Sequence, residues 1–153
     1  DDPDDRGGAT MAGITLATYK AYCRREGRPE PTAEELRKIT IADWEAIFKT
    51  MFWDVARADE IEDQNVANAV VDWVWMSGPS KLKTVQLIVG VEADGLVGPK
   101  TIAAINGFAS QRDLFYQIQQ ARKNACEKIV AQNPSQRKFL RGWLNRINDL
   151  KHE

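Results

Sequence analysis

Four of the first five residues are aspartates, Asp1, Asp2, Asp4 and Asp5, and Thr10 follows in the run Gly7-Gly8-Ala9-Thr10-Met11-Ala12-Gly13-Ile14-Thr15. Carboxylates and a hydroxyl gathered this closely can bind a cation, move protons or position water. Glycines cost backbone order and aspartates compete for backbone N–H groups, so the stretch suits neither an ordinary helix nor an ordinary strand. A calcium loop is a poor fit. Pro3 interrupts the acids, and no Glu stands at the bidentate position about six residues past Gly7. Two readings stay open: a solvated acidic turn, or the edge of a catalytic cleft.

Asp72 is the other unusual acid, because it sits in the apolar run from Val66 to Trp75. A buried carboxylate costs several kcal/mol unless it is paired or hydrogen-bonded. Asp72 is therefore either an anchor for backbone donors of the opening loop or a cleft residue. Glu26, Glu35 and Glu45 fall at exposed helical positions and are not candidates for a general acid. Cys23 and Cys126 are far apart and read as two buried thiols rather than a disulfide framework or a metal site. The single histidine, His152, stands next to the last residue and reads as frayed, which argues against histidine catalysis and zinc hydrolysis.

The elements that must position these residues are helices. Thr15 caps a helix ended by Gly27, and Thr32 with Glu35 makes a capping box for a short helix to about Lys38. Thr40 caps an amphipathic segment carrying Trp44, Ile47, Phe48, Met51 and Phe52, ended by Trp53-Asp54. Residues from about Gln64 to Met76 are apolar on most faces, as in the middle of a bundle, and Ser77-Gly78-Pro79 stops them. A helix from Ser80 to Val89 has Leu82, Val85, Gln86 and Val89 on one side. A glycine-punctuated loop follows to Pro99, which suits a first helical position. Ser110 opens a long helix to about Gln132, and the last helix carries Phe139, Leu140, Trp143, Leu144 and Ile147. The fold class is all-α, with about eight helices and room for a small β-ribbon within residues 5–15.

The chain has 153 residues, enough for one domain with a real core or for a main body with a small lobe. Its net charge of −1 gives no global pull toward nucleic acid or anionic membrane. Arg112, Arg122, Lys123, Lys128, Arg137, Lys138, Arg141 and Arg146 on the last two helices form either a basic docking face or a solvated surface. No apolar run approaches the roughly 18 residues of a membrane span. The chain opens on Asp rather than Met, so a preceding segment is expected.

Asp2-Pro3, Asp5, Gly7-Gly8, Thr10 and Gly13-Ile14-Thr15 resemble the signature of glycoside hydrolase family 108, lysozyme-like muramidases of phages and bacteria, some described as secretion activators. Met51-Phe52-Trp53-Asp54 is similar to that family's aromatic step. Asp72-Trp73-Val74-Trp75-Met76-Ser77-Gly78-Pro79 is similar to its Asp…Asn-Ser-Gly-Pro segment, with Met76 in place of the expected asparagine. Leu87-x-x-Gly90 through Asp94-Gly95-x-x-Gly98-Pro99-x-Thr101 resembles the peptidoglycan domain that closes these proteins. So does Phe139-x-x-Gly142-Trp143-Leu144-Asn145-Arg146-Ile147, its terminal helix.

The resemblance implies a lysozyme-like region over 1–79 and a peptidoglycan-binding helical region over 80–153. It implies cleavage of the glycan strand of the cell wall, in a monomer that needs no cofactor or metal and works at the cell wall, in the periplasm or outside the cell, a phage-encoded lysis protein being one form. The family's catalytic glutamate stands in a Glu-Gly-Gly step a few residues before the Asp-Pro pair, so it is expected upstream of residue 1. Asp5 and Thr10 would then face the scissile bond. Asp72, Trp53, Trp73, Trp75 and Ser77 are the candidate glycan-binding residues, with core packing the alternative for each ring. Two other readings are a non-catalytic peptidoglycan-binding or secretion-associated module and a helical interaction domain.

Overall fold

Side-chain caps set most of the helix starts. In the computed structural model, which describes residues 10–153, Thr15, Thr32, Thr40, Asp63 and Ser110 each accept a hydrogen bond from the backbone N–H three residues on. Each bond satisfies one of the orphan donors at a helix N-terminus. Among the described residues there are eight α-helices and one two-stranded ribbon. The fold is all-α. The chain divides into two compact units, the first ending at Trp53 and the second spanning Asp54–Glu153.

In the first unit, β1 (Thr10–Met11) pairs antiparallel with β2 (Ile14–Thr15), in register Thr10 to Thr15 and Met11 to Ile14. Next come α1 (Leu16–Arg25), α2 (Ala33–Arg37) and α3 (Ile41–Phe48). The capping box Thr32–Glu35 is complete, with both reciprocal hydrogen bonds made. The helical pattern of Trp44 to Phe52 predicts one continuous helix, but the backbone widens after Phe48 into a π-helical turn, Lys49–Trp53. Trp44, Phe48 and Phe52 still stack in sequence, with ring centroids 5.5 and 5.9 Å apart. Ile14, Tyr22, Cys23, Leu36, Ile47 and Phe52 are buried.

The second unit is built on α4 (Gln64–Ser77). Val66, Ala67, Ala69, Val70, Val71, Trp73 and Val74 are all buried on it, so nearly every face of α4 meets other residues. Such a helix belongs inside a bundle. A 3₁₀ turn leads into α5 (Leu82–Val89), and α6 (Pro99–Asn106), α7 (Gln111–Gln132) and α8 (Arg137–Asp149) follow. Pro99 takes the first position of α6, where its missing N–H costs nothing. Leu114, Phe115, Ile118 and Ile147 are fully buried between α7 and its neighbours. Each contributes about 1.5–3 kcal/mol by leaving water. Among the described residues, no helix is long and apolar enough to cross a membrane.

Candidate functional site

Asp5 lies outside the described residues. Thr10 stands on β1, and its side chain is likewise outside what the structure describes. The turn that places Thr10 is defined. Ala12 and Gly13 have φ of 49° and 89°, both left-handed, the geometry of a two-residue hairpin turn. Gly13 adopts it freely, whereas Ala12 carries a Cβ into a region that costs an ordinary residue about 1–2 kcal/mol. Trp44 Nε1–H donates to the Ala12 carbonyl at 3.0 Å. Trp44, placed at core spacing by the sequence, is only half-buried and fastens the segment that carries Thr10.

Trp53 closes the π-helical turn of the first unit and is half-buried. Insertions of this kind recur at functional sites. The remaining candidates share α4 in the second unit. Trp73 is 2% exposed, so neither ring face is open to a sugar, and the glycan-stacking assignment is corrected to core packing. Trp75, two residues on, is half-buried, and Ser77 is exposed at the last position of the helix.

Asp72 is held by two arginines that the sequence reading did not pair with it. Its Oδ2 accepts from Arg122 Nη2 at 2.6 Å and its Oδ1 from Arg146 Nη2 at 2.7 Å. Arg122 Nη1 donates to Gln119 Oε1 at 2.9 Å, and Gln119 Nε2 donates to the Ile147 carbonyl at 2.7 Å. Because Arg146 and Ile147 are neighbours on α8, the chain of bonds closes into a ring tying α4, α7 and α8. Met76, standing where the family pattern has asparagine, brings its thioether to 3.6 Å from Arg122 Nη2. Burial alone would push the Asp72 carboxyl up, but the hydrogen bonds from Arg146 and Arg122 outweigh it and hold it below the ordinary aspartate value. Arg122 is 1% exposed, which removes it from the basic surface expected of the last two helices.

A second polar centre organises the loop between α5 and α6. Gln86, 1% exposed, accepts from Gly95 N–H through Oε1 at 2.8 Å. Its Nε2 donates toward Asp94 Oδ1 at 2.9 Å, the Leu96 carbonyl at 3.0 Å and Thr101 Oγ1 at 3.1 Å, so two hydrogens are shared among three acceptors. The backbone N–H fixes the orientation of the amide, since it can only donate. Sequence spacing placed Gln86 on the inward side of α5, but nothing local to it revealed these partners.

His152 is not frayed. Its Nε2 lies 2.9 Å from Asp63 Oδ2, and its ring packs against Phe115 with centroids 5.7 Å apart. The distance from the sequence end misled, because the pairing partner is on α4's N-cap. Cys23 and Cys126 are buried free thiols, and burial pushes both thiols up from the ordinary cysteine value. Among the described residues no group of three or more His, Cys, Asp or Glu side chains gathers as a metal-ligand set.

Two family models match the chain, and they meet at residues 78–80 rather than at the Trp53/Asp54 division of the structure. The family model described as Glycosyl hydrolase 108 matches residues 1–78, and the one described as Predicted Peptidoglycan domain matches residues 80–148. No curated protein sequence matches. Six chains of solved structures do. One of them, SagA of Brucella abortus, is 30% identical, with 98% of this chain and 81% of that chain covered and a TM-score of 0.81.

Proposed function

The chain belongs to the glycosyl hydrolase 108 family and has the make-up of a peptidoglycan-degrading glycoside hydrolase, and from that premise we propose that it is an N-acetylmuramidase cutting the β-1,4 bond between the two wall sugars. One observation carries the reading. A glycosyl hydrolase region and a peptidoglycan region together account for nearly the whole chain, which supports peptidoglycan as the partner and a cell-wall or extracellular location.

Glycoside cleavage needs a carboxylic acid held protonated to release the leaving oxygen, and polar groups that steady the positive charge at the sugar or position water. In this proposal Asp5 and Thr10 serve the second need, with β1 and the Ala12-Gly13 turn fixing where Thr10 stands. The acid is a glutamate of the Glu-Gly-Gly step that the family resemblance puts ahead of Asp2-Pro3. On the first unit the half-buried Trp53 offers a ring face to the glycan; on the second, taken by itself, the half-buried Trp75 and the exposed Ser77 are the proposed glycan contacts. Asp72 orders the helix that carries Trp75 and Ser77.

The test is release of soluble fragments from purified sacculi by the protein with its native N-terminus. Asp5→Asn and Thr10→Ala are expected to lower the rate about 100-fold or more while sacculus binding persists. Unchanged rates in both variants would remove these residues from the mechanism. Binding without any release by the parent protein would favour the non-catalytic module.

A further inference from the structure

The loop that Gln86 holds forms one wall of a cleft of about 370 Å³, lined by Val91, Glu92, Leu96, Pro99 and Lys100 among others. Its size lies within the range of ligand clefts, roughly 300–1,000 Å³. Leu96 is 75% exposed, a large apolar side chain facing solvent at the edge of this cleft. Asp94 also borders it, but Asp94 Oδ1 is committed to Gln86 and to the Leu96 N–H. The exposed Glu92 and Lys100 supply charges of both signs. No aromatic ring lines the cleft, so it lacks the flat platform on which a sugar stacks.

Charges of both signs around an apolar lining suit an occupant that presents an ammonium and a carboxylate joined by an aliphatic stretch. With two carboxylates and one ammonium around the cleft, the cationic group of the ligand is the one most needed. Peptidoglycan offers that combination in the diamino acid of its stem peptide, not in its glycan. We infer that the cleft of the second unit binds the stem peptide through this diamino acid, with Glu92 receiving the side-chain ammonium, Lys100 a carboxylate, and Leu96 and Val91 the alkyl chain. The inference rests on the peptidoglycan reading above and assigns the peptide and the glycan to different parts of the chain. Because Gln86 fixes the loop before any ligand arrives, little ordering is left for binding to impose.

Calorimetric titration tests it, using the protein with its native N-terminus and a synthetic stem tetrapeptide with a free side-chain amine. The same peptide acetylated on that amine and a peptide-free chitooligosaccharide serve as comparisons. Glu92→Gln is expected to weaken the free-amine peptide roughly three- to fivefold and to erase its advantage over the acetylated one. Lys100→Met should weaken both peptides by a similar factor, and Leu96→Ser by about tenfold. All three residues are exposed, so the variants are expected to fold, and sacculus digestion should continue. Equal binding of the two peptides, or unchanged affinity in Glu92→Gln, overturns the inference. If no peptide binds while sacculi are still bound and cut, the inference falls and the muramidase reading stands. If sacculi are neither bound nor cut, the muramidase reading falls with it.

Discussion

The two units hold their irregular segments by different means. In the first, the hairpin bearing Thr10 turns through a left-handed Ala12-Gly13 pair, fastened by a hydrogen bond from the half-buried Trp44 indole. In the second, the α5–α6 loop wraps a fully buried amide that bonds to three of its groups and to Thr101 of α6, and α4, α7 and α8 are cross-tied by Asp72, Arg122, Gln119 and Arg146. A buried polar network holds one geometry through its many partners, although Arg122 Nε stays without a hydrogen-bond partner among the described residues. A turn at the surface, held partly by a strained residue, is easier to reshape. Under the function proposed above, the reshapeable turn belongs to the unit that carries Thr10, and the rigid network to the unit that carries the α5–α6 loop.

Opening the ionic ring should destabilise the second unit more than any other single change. Asp72→Asn leaves the Arg122 guanidinium buried without its counter-charge, at an expected cost of about 3–5 kcal/mol. Denaturant unfolding of the second unit should show it, and a loss below about 1 kcal/mol would make the ring incidental. The ring also predicts an acid response. The Asp72 carboxyl titrates below its unfolded value, so its contribution is complete above the ordinary aspartate pKa and is lost as pH falls through the folded one. The parent protein should lose stability steeply below about pH 4, and Asp72→Asn should lose less over the same interval.

Gln86→Leu comes next. It keeps the volume but removes the acceptor of Gly95 N–H and the amide donor to the Leu96 carbonyl and the buried Thr101 hydroxyl, at an expected cost of about 2 kcal/mol. Hydrogen exchange at Gly95 and Leu96 should quicken while α7 stays protected. Trp44→Phe removes the indole donor from the Ala12 carbonyl, and about 1 kcal/mol is expected. Sacculus digestion should fall while stem-peptide affinity in the second unit holds, and a parallel loss of both would undo the contrast. Ala12→Gly is the smallest change. It relieves the left-handed Cβ and adds unfolded-state freedom, for a net gain of a few tenths of a kcal/mol, read as a small rise in Tm.

Legibility in the sequence followed the range of the interactions. The caps at Thr15, Thr32, Thr40 and Ser110 act over three residues, and all four helices begin where their spacing predicts. Burial of α4 was readable because nearly every residue on it is apolar. Its consequence for Trp73 was not, since a residue type does not say which ring face is covered. The π-helical turn was hidden because Trp44, Phe48 and Phe52 keep helical spacing through it. The partners of Asp72 come from 50 and 74 residues away, and Asp63 meets His152 across 89. No local pattern announces such pairs. The residues given to catalysis, Asp5 and Thr10, rest on the family signature rather than on geometry.

Which bond is cut decides what kind of glycosidase this protein is. The direct measurement is mass spectrometry of the fragments released from sacculi by the protein with its native N-terminus, after borohydride reduction of new sugar ends. A muramidase leaves reduced N-acetylmuramic acid at every new end, and that is the result expected. Reduced N-acetylglucosamine, or new peptide ends on intact glycan, would contradict it.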